Sequence, residues 1–327
     1  MASRRHELID AEEGTLGVHV PTDSDNESDV TCPNVQPDER TGSVHPAKRL
    51  KVNDDLVDNV ISSLQTLVPT VFRKDSRNLT QGLFISLYGG VGHICASQLE
   101  RGRASLLFDL GRNDKNDLGT DAAQRDIWHL LGLTVPGSAV PVVSLLGIDL
   151  PCSTWSRARG GGQGPPAIRN DAHIYGLPGV RQCDQRKLES ANQQLAFAIL
   201  NIRKALDLGI PGYLENPLTS YVWKTAEVKQ LLAERKTYLT KLHMCQYGTT
   251  WKKATALMIW GVPEASVNFK VCRGAPRGLC SRTASPHECL RGLDSAGKFR
   301  TSQAQVYPLD FANALTEVFE KHLRKWL

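Results

Sequence analysis

Three groups of residues have the types and spacing that chemistry needs. The first is Pro151-Cys152, where the apolar run Pro141 to Ile148 gives way to a polar, basic stretch, STWSRAR. In an open α/β sheet, ligands bind beyond the carboxyl ends of the strands, so a thiol just past such a run stands where nucleophiles are usually placed. The second is Glu215-Asn216-Pro217, which follows the short apolar segment ending in Tyr213-Leu214 and puts a carboxyl group at another strand exit. The third is the turn Tyr88-Gly89-Gly90-Val91-Gly92 after the run LFISL, with Asp109 17 residues beyond Gly92. Glycines let the backbone turn sharply and let a ligand approach a helix N-terminus, and a downstream acid can hold ribose hydroxyls. The third glycine of a dinucleotide fingerprint is absent, since His93, Ile94 and Cys95 follow Gly92. A nucleoside cofactor without a pyrophosphate therefore fits the turn better.

The elements that must position these groups alternate between strands and helices. Leu83 to Leu87, Ser105 to Phe108, Pro141 to Ile148, the segment reaching Leu214, Tyr238 to Met244 and Ala256 to Trp260 are short apolar runs of strand length. Between them, helical spacing predicts helices through Cys95 and Leu99, from Asp121 to Leu133, from Leu188 to Leu206 ending at Gly209, and from Trp223 to Arg235. A closing helix carries Phe311, Leu315, Val318, Phe319 and Leu323 on one face. The pattern predicts an α/β fold with a mostly parallel sheet. Leu56, Val60, Leu64 and Leu67 predict a lead-in helix within residues 55–78, ahead of a catalytic domain over 79–327.

The chain has 327 residues and a net charge of +5, but the charge is unevenly distributed. Residues 1–50 carry 10 acidic and 5 basic side chains, and the remainder carries 24 and 34, so the tail is −5 and the body +10. Few large apolar residues and no periodicity predict that residues 1–54 form a disordered acidic tail. Within it, Pro46 to Val52 is a basic patch like a nuclear localisation signal, which predicts a nuclear protein. A basic body suits a polyanion such as nucleic acid. The segment Ser153 to Arg181, rich in glycine and proline, adds Arg157, Arg159, Arg169 and Arg181 with the rings of Trp155 and Tyr175, a mixture suited to phosphates and bases. No apolar run is long enough for a membrane span, and scattered cysteines predict a reduced, intracellular, soluble protein, a monomer by default. From 261 to 300 periodicity is lost. Cys272, Cys280, His287 and Cys289 there follow a C-x7-C-x6-H-x-C pattern without the CxxC pair typical of zinc, so a cysteine-containing loop is expected ahead of a zinc site, a choice that spacing does not settle.

Taken together, these segments resemble the cytosine-5 DNA methyltransferase family. SLYGGVG resembles its first motif, Asp109 its second, PCSTWSRAR its proline-cysteine motif and Glu215-Asn216-Pro217 its ENV motif, in the family's order. CQYGTTWKKATALMIWG, Cys245 to Gly261, is similar to its arginine-bearing motif with Lys252 and Lys253 in place of arginines, and Thr301 to Phe319 to the closing motifs that return to the cofactor site. The resemblance implies a Rossmann-like, S-adenosylmethionine-dependent methyltransferase fold with a small irregular C-terminal insertion. It implies Cys152 as nucleophile toward carbon 6 of cytosine and Glu215 as the group that binds or protonates the ring nitrogen. S-adenosylmethionine would be held by Leu87, the turn Tyr88-Gly89-Gly90-Val91-Gly92, Asp109 and Pro151. Nucleic acid, DNA rather than RNA, would meet Ser156, Arg157, Arg159, Asn216, Lys252 and Lys253, with Arg157 or Arg159 lowering the thiol pKa and the loop after Cys152 closing over a flipped base. Ser86 stands where the family's first motif has an acid, and only about 40 residues lie between Trp260 and Thr301 for target recognition. The alternatives are an RNA cytosine methyltransferase, a catalytically silent nucleic-acid-binding member, or a thiol hydrolase pairing Cys152 with His173.

Overall fold

Residues 83 to 87 are buried one and all, the signature of a strand covered on both faces. This strand, β2 (Leu83–Leu87), lies inside a seven-stranded sheet in a computed structural model that describes residues 54–73, 82–160, 165–234, 237–274 and 278–323. The others are β1 (Thr70–Phe72), β3 (Ser105–Phe108), β4 (Val143–Asp149), β5 (Gly212–Pro217), β6 (Thr237–His243) and β7 (Ala254–Trp260), in the order β1-β3-β2-β4-β5-β7-β6. The pairs β3–β2, β2–β4 and β4–β5 are parallel, and β7 is antiparallel to both β5 and β6. Five strands therefore share one direction, and only β7 and the edge strand β1 oppose them. The sheet is Rossmann-like and mostly parallel, as expected.

Among the described residues six helices cover it: α1 (Asp54–Ser62), α2 (His93–Glu100), α3 (Asp121–Gly132), α4 (Gln182–Asp207), α5 (Ala226–Ala233) and α6 (Leu309–Leu323). Residues such as Val57, Ile127, Leu195 and Val228, from α1, α3, α4 and α5, form one apolar core with the sheet. Ile94, Phe311, Leu315 and Phe319, from α2 and α6, form a second. The chain goes from β2 outward to β3 on one side and from β4 outward to β5 on the other. The crevice beyond the carboxyl ends of β2 and β4 is thus the topological switch point, where ligands of such sheets bind.

Three local expectations are corrected. The lead-in helix stops at Ser62, and Leu64 and Leu67 lie beyond it because the Asp126 carboxylate accepts the backbone amides of Gln65, Thr66 and Leu67, drawing the chain into the extended approach to β1. The helix expected from Trp223 is a 3-10 turn over Tyr221–Lys224 followed by α5. Glu215, Asn216 and Pro217 lie within β5 rather than past it, since they pair with Leu257, Ala256 and Thr255 of β7. The described residues of 261–300 are irregular apart from a short 3-10 turn over Glu264–Ser266 and the start of another at Arg300. No described helix is long and apolar enough to cross a membrane. The acidic tail and the basic patch at 46–52 lie outside the described residues, except for Asp54.

Candidate active site

The proline-cysteine turn is fixed from both sides. Asn216 of β5, fully buried, donates from Nδ2 to the Leu150 carbonyl at 2.8 Å, which pins the end of β4 just ahead of Pro151. The Cys152 carbonyl in turn accepts the amides of Trp155 and Ser156 at 3.1 and 2.9 Å, so the thiol sits on a tight turn. Asn216, expected to bind substrate, gives its amide nitrogen to the backbone, and its buried Oδ1 has no hydrogen-bond partner.

Glu215 is nearly fully buried. Lys253 Nζ lies 3.5 Å from its Oε1, close enough for an ion pair but without hydrogen-bond geometry, and that oxygen has no hydrogen-bond partner. Lys253 itself donates to the Ala304 carbonyl at 3.1 Å. Burial, then the charge of Glu215, pushes the Cys152 thiol up, while Lys253 pulls it down. The cation acting on the thiol is therefore Lys253, not Arg157 or Arg159. His173 is exposed, and no hydrogen bond joins it to Cys152, which removes the support for a cysteine–histidine hydrolase.

Asp149 was not anticipated. It ends β4 in register with Glu215 on β5, placing two carboxyl groups side by side. Its Oδ1 accepts the Tyr307 hydroxyl at 2.9 Å and its Oδ2 lies 3.4 Å from that of Tyr213. Burial above all, and then Glu215, holds the Asp149 carboxyl well above the usual range. Gly147 makes this arrangement possible, because a Cβ there would come within 2.6 Å of the Tyr213 side chain that crosses β4 to reach Asp149. A charged residue at the end of an otherwise apolar strand was the available signal. Tyr307 had none beyond its place in the closing segment. That segment does return to this edge of the sheet, since the Tyr307 carbonyl is 2.6 Å from His93 Nδ1 at the start of α2.

The glycine turn adjoins it across the switch point. Tyr88, Gly90 and Gly92 all have left-handed φ values (62°, 56° and 80°), which costs a non-glycine residue such as Tyr88 about 1–2 kcal/mol. Asp109 organises the turn: Oδ2 accepts the Gly90 amide at 2.9 Å and Oδ1 the Gly111 amide at 2.8 Å. Arg112, not foreseen, donates to the Gly90 and Val91 carbonyls. Nothing lies within 4 Å of where a Cβ on Gly90 would be, so the backbone there is open to a ligand. Each Asp109 oxygen also keeps a second acceptor site for a hydroxyl group. Ser86 is buried, and a Cβ on Gly89 would come within 2.2 Å of its Oγ, so it lies beneath the turn rather than at its open side.

The loop after Cys152 differs most from expectation. Arg169 is buried with its guanidinium 3.5 Å from the centre of the buried Trp155 ring, and donates to the Ile174 carbonyl, Asn192 Oδ1 and Thr154 Oγ1. Tyr175 donates to Glu227, and Arg159 and Arg181 both pair with Asp184. Trp155, Arg159 and Arg169 thus hold the loop together through contacts within the chain. Arg157 is exposed, paired with Asp171 and 5.0 Å from the Tyr221 ring, and Lys252 is exposed. Ser156 Oγ accepts the Ala158 amide. Gly161 to Gly164 lie outside the described residues. A surface hollow of about 610 Å³ between α3 and α4, lined by Trp128, His129 and Lys204 among others, is away from these groups.

No protein-family model matches the chain, and no curated protein matches it. Among solved structures the chain is similar to a methyltransferase from Entamoeba histolytica, EhMeth, with 14% identity and a TM-score of 0.32. That match covers 58% of this chain and 56% of the other, little more than half its length.

Proposed function

We propose that the protein is an S-adenosylmethionine-dependent methyltransferase acting on carbon 5 of cytosine in nucleic acid, DNA rather than RNA. The observation that carries this reading is the pairing of a thiol on the turn after β4 with a buried carboxyl oxygen, Glu215 Oε1, that has no hydrogen-bond partner on the adjoining strand. An unsatisfied buried acceptor is costly, and a ligand able to donate to it relieves that cost. The edge of a cytosine, with its amino group and a protonated ring nitrogen, is such a ligand.

Carbon 5 of cytosine is a weak nucleophile. Addition of the Cys152 sulfur to carbon 6, with a proton delivered to the ring nitrogen through Glu215, makes an enamine that is nucleophilic at carbon 5. Lys253 offsets the charge of Glu215 and favours the thiolate. After carbon 5 has taken a methyl group, loss of its proton to a base, departure of the sulfur as thiolate and return of the ring-nitrogen proton to Glu215 restore the aromatic ring and the free enzyme. The donor's contribution when bound is an electrophilic methyl group, and the open turn at Gly90 with Asp109 would hold it at the switch point, in the position that the fold reserves for a cofactor. A base inside a duplex is out of reach of a thiol on a recessed turn, so it must be flipped outward. Arg157 and Lys252, both exposed, are suited to phosphates. The basic patch at 46–52 would direct the protein to the nucleus.

The test is incubation of the full chain with labelled S-adenosylmethionine and, separately, DNA and RNA, followed by identification of the modified base. The reading expects 5-methylcytosine, more in DNA, and at least a thousandfold loss in Cys152→Ser, as when a nucleophile is removed. Unchanged transfer by Cys152→Ser would refute the mechanism, and label in RNA alone would refute the choice of substrate.

A further inference from the structure

Outside the site, one cluster of side chains has a chemistry that the proposed reaction does not use. Cys245, in the 3-10 turn after β6, meets Cys272, Cys280 and His287 from the irregular segment, and the four ligand atoms all lie within 4.8 Å of one another. Cys272 Sγ is 3.7 Å from His287 Nε2. A tetrahedral zinc with Zn–S of about 2.3 Å and Zn–N of about 2.0 Å sets its ligands about 3.5–3.8 Å apart, so a small contraction of this group would meet the requirement. We propose that Cys245, Cys272, Cys280 and His287 form a structural zinc site that fastens the segment 263–308 to the sheet.

Two further observations support it. The described part of 263–308 buries only Phe269, Cys272, Cys280 and Ala304, and Cys245, Cys272 and Cys280 form an isolated buried cluster of their own. A segment this poor in apolar contacts and regular structure needs another source of order, and metal ligation is a common one. The sulfurs are also surrounded by donors. The Ser281 amide reaches Cys272 Sγ at 3.4 Å, and Gln246 Nε2 lies 3.5 and 3.6 Å from Cys245 and Cys280. Donors around a sulfur are what a metal-bound thiolate requires of its surroundings. Arg282 adds a bond to the Cys245 carbonyl and the Cys272 amide one to His243 Nδ1, so the ligands come from backbone held in place. Three thiolates and an imidazole suit zinc, and four protein ligands leave no open position, which makes the site structural rather than catalytic.

The spacing of the irregular segment alone groups Cys289 with Cys272, Cys280 and His287. Cys289 is exposed and outside the group, and its place is taken by Cys245, which lies 27 positions before Cys272 and cannot be found by spacing alone.

The experiment measures metal in the full chain purified under reducing conditions without chelator, then replaces zinc with cobalt. The expected result is one zinc per chain and a cobalt spectrum with thiolate charge-transfer bands and the strong visible absorption of tetrahedral coordination. Cys289→Ser should retain both, and Cys280→Ser or His287→Ala should bind zinc at least tenfold more weakly. Absence of stoichiometric zinc after reconstitution, octahedral cobalt, equal loss in Cys289→Ser, or a native disulfide within the cluster would each overturn the proposal. The cobalt spectrum is read on the unaltered protein, so it decides the matter even if a variant fails to fold.

Discussion

At the scale of single residues, the thiol is held between opposing influences. Burial and Glu215 raise its pKa, and Lys253 lowers it. A thiol with a raised pKa is mostly protonated at neutral pH, so its reactivity must increase as pH rises, with an inflection above the ordinary thiol value. The two neighbours should act in opposite directions. Glu215→Gln removes the charge that disfavours thiolate and should move the inflection down, making alkylation at neutral pH several-fold faster. Lys253→Met should move it up and slow alkylation several-fold. Iodoacetamide labelling of Cys152 across a pH series, read by peptide mass, measures both shifts, and shifts in the same direction would contradict the arrangement of charges.

At the scale of elements, the sheet and its helices were legible because apolar runs of strand length alternate with helical stripes, and burial enforces both periods. The places of the glycine turn just past β2 and of Cys152 just past β4 followed from that order. Other features were hidden because they arise from contacts between distant segments. Asp149 and Tyr307 are 158 positions apart and meet only through the fold. Arg169, Trp155 and Tyr175 have the composition of a nucleic-acid contact, yet a guanidinium stacked on an indole serves equally well to pin a loop, and composition cannot separate the two uses. Arg169→Met tests that assignment. It removes the stacked charge and its hydrogen bonds to Ile174, Asn192 and Thr154, and should destabilise the protein by about 2–4 kcal/mol in urea unfolding. A change below about 0.5 kcal/mol would show that the loop is not held by this residue.

At the scale of the whole molecule, the parts converge on one edge of the sheet: the glycine turn after β2, the thiol after β4, the carboxyl group on β5, the lysine that begins near β7 and the tyrosine that precedes α6. The strand order brings the turn and the thiol together across the switch point, although 60 residues separate Gly92 from Cys152 in sequence. Residues 51–327 carry a net charge of +10, which suits the polyanionic substrate proposed above. The central claim is that Cys152 becomes covalently joined to cytosine during turnover. Its most direct test is an oligonucleotide containing 5-fluorocytosine, incubated with the full chain and S-adenosylmethionine, because fluorine at carbon 5 cannot leave as a proton does and the adduct persists. The account predicts a protein–oligonucleotide complex that survives denaturation, maps by mass to Cys152 and is absent in Cys152→Ser; no complex under conditions in which the protein binds the oligonucleotide and the donor, or a complex that persists in Cys152→Ser, would contradict it.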